Sequence, residues 1–162
     1  MELRKRLNSK NVFVVLYVLA FFIYIIYGLQ PAEAVQNETT GELNIPSIGL
    51  VSNVTDAQLK NNELEVPDLI VGSFSNHTNK TLLIGHSTTV FSDLDKVQLR
   101  DSIIYNGKKY TVKMIDIMKK SKISMRTLLD ASVKDTIVIM TCAGKLLDNG
   151  DATHRLIITA SV

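Results

Sequence analysis

The chain ends in the stretch TIVIMTCAGKLLDNGDATHRLIITASV (Thr136–Val162), which contains its only cysteine, Cys142. Two runs rich in β-branched and apolar residues, 136–142 and 155–162, flank a polar segment with glycines. This pattern predicts two strands joined by a loop. Cys142 ends the first run and Arg155 opens the second. Both residues are therefore expected at strand ends, where a side chain can face a cleft.

The same pattern of short β-type runs separated by turn residues extends upstream to Leu43. The runs are LNIPSIGLV (43–51), DLIVGSF (68–74), TLLIGH (81–86) and SIIYNGKKYTVKMIDIM (102–118). Asn106-Gly107 predicts a type I′ hairpin, because this pair suits the positive φ angles of that turn. Helical signals are short and lie in TDAQLKNN (55–62), FSDLDKV (91–97) and SMRTLLDASV (124–133). Many short, closely spaced strands predict a mainly β barrel or sandwich with a few short helices.

A long apolar run precedes this region. The stretch VFVVLYVLAFFIYIIYGL (Val12–Leu29) has no charged residue. As a helix it would span about 27 Å, close to the roughly 30 Å of a hydrocarbon core. It also lacks the polar stripe of a surface helix. The sequence therefore predicts one transmembrane helix over residues 11–29.

The flanks of this run predict its orientation. Basic residues precede it (Arg4, Lys5, Arg6 and Lys10), whereas no Lys or Arg follows until Lys60. The positive-inside rule then places the N-terminus in the cytoplasm and the rest of the chain outside the cell. The alternative is a cleaved signal peptide, since AEA at 32–34 has the small-x-small form of a cleavage site. Against it, the run exceeds the roughly 7–15 residues of a usual signal peptide core.

Four segments follow: a basic cytoplasmic tail (1–10), the anchor (11–29), a polar extracellular linker (30–42) and one β domain (43–162). The formal net charge is +2, and the tail contains four basic residues against one acid. The basic excess therefore lies next to the membrane, and we expect no nucleic-acid partner. The linker contains Pro31 and Gly41 and has no hydrophobic period.

A lone cysteine outside the cell cannot form an internal disulfide. It is inert and buried, paired with another chain, or reactive. A reactive cysteine attacks as the thiolate, which usually requires a histidine partner. His77 lies in the polar stretch SFSNHTNKT and His154 lies in a loop beside Arg155, whereas His86 closes an apolar run as Cys142 does. His86 is therefore the favoured partner.

These pieces together resemble a sortase, a membrane-anchored cysteine transpeptidase of bacterial surfaces. The matching segments are LNIPSIGL as the opening strand, LLIGHSTTVFSDLDKVQLRDSIIY as the histidine segment, IVIMTC for the family's TLxTC strand and HRLIITA as the arginine strand. They occur in the family's order and cover essentially all of 43–162. The resemblance implies a closed, sortase-type β-barrel of about eight strands after the N-terminal helix.

The resemblance also implies roles. His86 matches the catalytic histidine, Cys142 the nucleophile and Arg155 the active-site arginine. Thr141, Ser87 and Thr88 are candidates for binding the substrate. The implied reaction cleaves an LPxTG-like C-terminal sorting signal of a surface protein through a thioester on Cys142. An amine, from a cell-wall precursor or a protein lysine, then accepts the acyl group.

Departures from the family pattern restrict the class. TLxTC is Val138–Cys142 here, with Val and Ile replacing Thr and Leu. The linker lacks an Asp-Pro-aromatic lid motif and no second apolar span follows the last strand, so we do not expect the pilus-polymerising type. The loops lack the carboxylate cluster that a calcium site needs, and we expect no metal and no cofactor. A membrane-anchored cysteine protease and a non-catalytic tethered binding module stay open as alternatives.

Overall fold

The computed structural model describes residues 18, 19, 21, 38–60, 63–75, 80–130, 135–148 and 150–162. The chain divides into two units, 1–36 and 37–162, and the fold below is that of the second. The predicted membrane anchor, 11–29, lies outside the described residues except at three positions. Among the described residues there is no helix with the length and apolar character that crossing a membrane requires.

The second unit is built almost entirely from strands. They are β1 (Thr39–Ile45), β2 (Leu50–Asp56), β3 (Leu59–Lys60), β4 (Glu63–Leu64), β5 (Val71–Phe74), β6 (Lys80–Ile84), β7 (Ser102–Tyr105), β8 (Lys108–Lys119), β9 (Thr136–Leu146) and β10 (Ala152–Ser161). Among the residues of this unit that the structure describes, the helical segments are 3₁₀ turns at Pro46–Ile48, Leu94–Lys96 and Lys120–Lys122 and one α-helix, α1 (Met125–Leu128).

Eight of the described strands close into a barrel in the order β1-β2-β5-β6-β9-β10-β8-β7, while β3 and β4 form a separate ribbon. The neighbouring pairs β2–β5 and β6–β9 run parallel and the others run antiparallel. The prediction of a mainly β, closed barrel of about eight strands with few helices is confirmed. β1 begins at Thr39, four residues before the predicted start of the domain, because Thr39, Gly41 and Glu42 pair with β2.

The barrel interior is one apolar cluster to which all eight barrel strands contribute. Its fully buried members include Leu43, Val54, Leu83, Ile139 and Ile158. On β9 the odd positions Ile137 and Ile139 belong to this cluster, as expected when alternate side chains of a strand face one side of a sheet.

A second apolar cluster covers the outer face of β6, β9 and β10. It joins Leu82, Ile84, Val138 and Ile157 to Leu128 and Leu129 at the end of α1. β9 is therefore buried on both faces, which explains why its first half is a continuous apolar run rather than an alternating one.

The turn prediction at Asn106-Gly107 is confirmed. These residues have φ angles of 49° and 74° and join β7 to β8 in an antiparallel hairpin. The Asn106 side chain adds a second contact, since its Oδ1 accepts a hydrogen bond from the backbone N–H of Glu42 at 2.9 Å. The hairpin is thereby tied to β1.

The helical signal over 55–62 is wrong for residues 55–60. Thr55 and Asp56 pair with β5, and Leu59–Lys60 form the short strand β3. The backbone N–H of Ala57 donates to the carbonyl of Ser73 at 2.7 Å. Ladder bonds thus take up the backbone groups that a helix would have used. By contrast, the short helix expected within 124–133 is present as α1.

Candidate active site

The predicted catalytic residues lie on, or just after, three adjacent strands. On the outer face, Ile84 of β6, Met140 of β9 and Ile157 of β10 stand side by side. Two positions further along β9 is Cys142, and its antiparallel partner on β10 is Arg155. On the other side of β9, the pairing with β6 ends at Ile84, and His86 follows two residues later. The Thr141 side chain donates to the carbonyl of Gly85, so the segment that carries His86 leaves β6 next to the part of β9 that carries Cys142.

Cys142 sits where the regular ladder of β9 and β10 ends. Pairing is in register from Thr136 to Ala143 and then shifts at a bulge between Ala152 and His154. Gly144 has a φ of +77°, and a Cβ there would lie 2.7 Å from Nδ1 of His154. A larger residue would therefore disturb this bulge. Cys142 is a half-buried, free thiol at this point.

The loop that carries His86 is fixed by packing behind it. A Cβ on Gly85 would lie 2.5 Å from Val90 and 2.8 Å from the ring of Phe91, so only glycine fits there without a shift. Phe91 is 1% exposed and belongs to the interior cluster. Its backbone N–H donates to the carbonyl of His86 at 3.0 Å. The residues after His86 thus fold back and anchor the loop in the core.

The imidazole of His86 is held much less closely than its backbone. Its side chain is 40% exposed, and Nε2 lies 3.9 Å from Oδ1 of Asp68, whose own side chain is 98% exposed. Asp68 comes from the crossover between β2 and β5, and sequence reasoning did not identify it. The ring is therefore near a carboxylate but has room to move.

The guanidinium of Arg155 is fixed on several sides. Its side chain is 13% exposed. Nη1 donates to the carbonyls of Ala152 and His154, both at 2.9 Å, and Nη2 donates to Oδ1 of Asp151 at 2.6 Å. The side chain therefore folds back along its own strand toward the loop between β9 and β10. The structure brings Cys142 and Arg155 together at the backbone, while the guanidinium bonds to this loop.

Asp151 is shared by two cations. Its Oδ2 accepts from Nζ of Lys120 at 2.5 Å, and its Oδ1 accepts from Arg155 and from the backbone N–H of Ala152. The hydrogen bond from Lys120, followed by that from Arg155, holds the pKa of Asp151 well below its usual value. Asp151 was not identified from sequence, where it is one of two acids in a polar loop.

The candidates for substrate binding have different environments. Thr141 is 4% exposed, and its Oγ1 donates to the carbonyl of Gly85 at 2.8 Å, so its side chain links β9 to the His86 loop. Ser87 is half-buried and Thr88 is exposed, and both lie in the turn after His86. Contact between these residues and a substrate stays a prediction.

Of the other two histidines, only His154 is among the described residues. His77 lies in 76–79, outside them. His154 pairs with Ala143, one position from Arg155, and its Nδ1 lies 2.8 Å from Oγ1 of Thr153. Within the described ranges, His, Cys, Asp and Glu side chains form no group of three or more that could hold a metal ion.

The family model and the similar solved structures indicate the same family. The family model described as Sortase domain matches residues 43–162. Sortase A from Listeria monocytogenes has a similar fold, with a TM-score of 0.58 at 18% identity over 76% of this chain and 86% of the other. Sortase E1 from Streptomyces coelicolor, solved with a tripeptide in its active site, has a TM-score of 0.55 at 16% identity over 77% and 88%.

Coverage is lower against some of these structures. Sortase A from Corynebacterium diphtheriae has a TM-score of 0.58 at 19% identity, and the match covers 79% of this chain but 62% of that one. The search of curated proteins gave no match. At these identities the structural likeness concerns the fold.

Proposed function

The chain belongs to the sortase family, and from this premise we propose that it is a cysteine transpeptidase acting at the cell surface. It cleaves an LPxTG-like C-terminal sorting signal of surface proteins and transfers the acyl group to an amine. The observation that supports the proposal is the pairing of Cys142 with Arg155 on β9 and β10, together with the position of His86 just after β6, the strand on the other side of β9. A thiol nucleophile, an imidazole and a guanidinium are thus carried by neighbouring segments of the barrel.

The first half of the reaction forms a thioester. The thiolate of Cys142 attacks the carbonyl carbon of the scissile bond, and the electron pair of the C=O bond moves to oxygen. When the C–N bond breaks, the leaving amine takes a proton from the imidazolium of His86. The C-terminal fragment departs and the N-terminal part stays on Sγ.

The second half reverses the roles. An incoming amine attacks the thioester carbonyl and loses a proton to the neutral imidazole of His86. The C–S bond breaks, the thiolate returns and an amide bond remains. The half-exposed ring of His86 suits this exchange, because it must contact a leaving group first and an acceptor afterwards.

Arg155 stabilises charge or holds the substrate without exchanging protons, since a guanidinium stays charged at accessible pH. Of its five N–H groups, both on Nη1 and one on Nη2 are used by Ala152, His154 and Asp151. Within the described residues, Nε–H and the second Nη2–H are left for a substrate carbonyl or a developing oxyanion.

The proposed location is the cell membrane, with a single pass over 11–29, the N-terminus in the cytoplasm and the catalytic domain outside. The uncharged run and its basic flank support it. The full-length protein should sediment with membranes and lose its domain to protease added outside the cell. A soluble mature protein starting near Val35 would favour a signal peptide.

The activity is tested with full-length protein in detergent micelles and quenched LPxTG peptides in which x is varied. Wild type should cleave one of them, carry an acyl adduct on Cys142 by mass spectrometry, and give an amide product when amines are added. Cys142→Ala should fold normally and show no cleavage above background.

The products separate the alternatives. Cleavage with acid product alone, whatever amine is supplied, would make the protein a protease. No cleavage, together with slow alkylation of Cys142 in the folded state, would make the domain a binding module.

A further inference from the structure

The contacts of Arg155 point to a further functional residue. We propose that Asp151 is a positioning residue for Arg155. It holds the guanidinium in one orientation, so that the two remaining N–H groups point in a fixed direction. The proposal rests on the proposed transpeptidase function, in which Arg155 meets the substrate. Asp151 itself does not contact the reacting atoms in this assignment.

The geometry of the carboxylate supports this role. Oδ1 of Asp151 accepts from Arg155 at 2.6 Å and from the N–H of Ala152 at 2.7 Å. The bond to Ala152 fixes the carboxylate relative to the first residue of β10. The side chain of Asp151 is only 23% exposed, so water competes weakly for its oxygens. Arg155 is thus bonded to a group that is itself fixed.

A fixed acceptor matters because an arginine side chain has several rotatable bonds. The carbonyls of Ala152 and His154 both bond to Nη1. Asp151 is the charged acceptor, bonds to the other terminal nitrogen, and so determines the plane of the guanidinium. The carboxylate also offsets the positive charge of Arg155. Arg155 therefore acts on the substrate through directed hydrogen bonds more than through a long-range electrostatic field.

Lys120 completes the arrangement from the opposite side. It bonds to Oδ2 of Asp151 and leaves Oδ1 to Arg155. Its side chain is 50% exposed, and it lies in the 3₁₀ turn that follows β8. We assign Lys120 the smaller part in orienting Arg155, because it bonds to Oδ2 and not to the oxygen that accepts from Arg155, and because its ammonium is half exposed.

The test is a double-mutant cycle in the full-length protein, with kcat/KM for peptide cleavage as the readout. Asp151→Asn should lower kcat/KM about tenfold in the wild-type background and less than about twofold in an Arg155→Ala background. Asp151→Glu should recover part of the loss, and Lys120→Met should cost less than Asp151→Asn. Asp148→Asn, which removes an exposed carboxylate from the same loop, is the matched control and should match wild type.

Three outcomes would overturn the proposal. Asp151→Asn and Asp148→Asn could have equal kcat/KM values. Asp151→Asn could lower kcat/KM by the same factor in the Arg155→Ala background as in the wild-type background, which would indicate a general structural effect. Lys120→Met could reproduce the whole loss, which would mean that Asp151 acts through the lysine.

A second readout does not depend on activity. The ¹⁵N resonances of the Arg155 guanidinium, assigned by their absence in Arg155→Lys, should indicate restricted rotation in wild type and free rotation in Asp151→Asn. If wild type cleaves no peptide, the proposed function fails while these resonances still decide whether Asp151 fixes Arg155. If wild type cleaves and the resonances do not respond to Asp151→Asn, the positioning role fails and the enzyme assignment stands.

Discussion

The two neighbours of Cys142 are held in opposite ways. On the β6 side, the His86 ring is 40% exposed, and its nearest charged partner is an exposed carboxylate 3.9 Å away. On the β10 side, Arg155 is 13% exposed and makes three hydrogen bonds of 2.6 to 2.9 Å. One residue has freedom to rotate and the other has almost none.

This difference matches the two tasks that the proposed acyl transfer would set. A proton carrier must meet a leaving group and later an incoming amine, so it benefits from a mobile ring. A group that orients a carbonyl must keep one direction, and fixing it before the substrate arrives lowers the entropy cost of the reaction. The mobile and fixed sides of Cys142 therefore suggest a division of work that substitutions can test.

The largest effect is expected on the mobile side. His86→Ala should reduce the cleavage rate constant by about a thousandfold, because both the proton donor and the stabilised thiolate are lost. The bell-shaped pH profile of a Cys–His pair should disappear as well. The measurement is the rate constant against pH for wild type and variant. A bell of unchanged shape in His86→Ala would break the comparison and direct attention to His77 or His154.

A smaller effect is expected on the fixed side. Arg155→Ala should lower kcat/KM about a hundredfold, as is typical when an oriented hydrogen-bond donor is lost. Arg155→Lys keeps the charge but loses the planar fork, so its loss should lie between wild type and Arg155→Ala. Neither change should alter the shape of the pH profile. If Arg155→Lys removed one limb of the bell, Arg155 rather than His86 would be implicated in proton transfer.

The fixed side should also respond to acid. Because the pKa of Asp151 is lowered in the folded state, its contacts stabilise the fold fully above the unfolded-state pKa of about 3.9 and less as pH falls below it. The difference in urea midpoint between wild type and Asp151→Asn should therefore be the same at pH 7 and pH 5 and smaller at pH 3. A difference that grew on acidification would contradict the assignment of these contacts.

The smallest effect is expected at the carboxylate near His86. Asp68→Asn should change kcat/KM less than about twofold, because a 3.9 Å pair with a fully exposed partner is weak and screened. The measurement is kcat/KM of wild type and Asp68→Asn at low and at physiological salt. A loss of tenfold or more in both would mean that Asp68 orients the ring and that the histidine side is as fixed as the arginine side.

Much of the fold was predictable because it depends on local patterns. The apolar runs at 81–86, 136–142 and 155–162 mark strands, and Asn106-Gly107 marks a hairpin whose φ angles require such residues. The failure at 55–60 has a physical reason. Thr and Asp are common at helix starts, but here the pairing of β2 with β5 uses their backbone groups, and that contact is not local.

The site was predictable only in part. Expected strand ends selected His86, Cys142 and Arg155 as candidates, and their roles stay predictions. The strands are longer than expected, since β9 continues to Leu146 and β10 begins at Ala152, so Cys142 and Arg155 are paired within the ladder. Asp151 and Asp68 were not predictable. The first depends on how the Arg155 side chain folds back along its strand, and the second on where a crossover loop passes. Neither arrangement leaves a period or a motif in the sequence.

The parallel pairing of β6 and β9 has a consequence for the time at which the thiol becomes reactive. Gly85 and Thr141, which join these strands beside the site, are 56 residues apart. Closing so long a loop is slow, and a parallel pair needs its whole crossover before it can form. Until this pairing forms, Cys142 lacks the neighbouring segment that carries His86, which the proposed mechanism requires. A chain that has not completed the pairing would therefore carry a thiol without catalytic power, and activity would report that the barrel has closed.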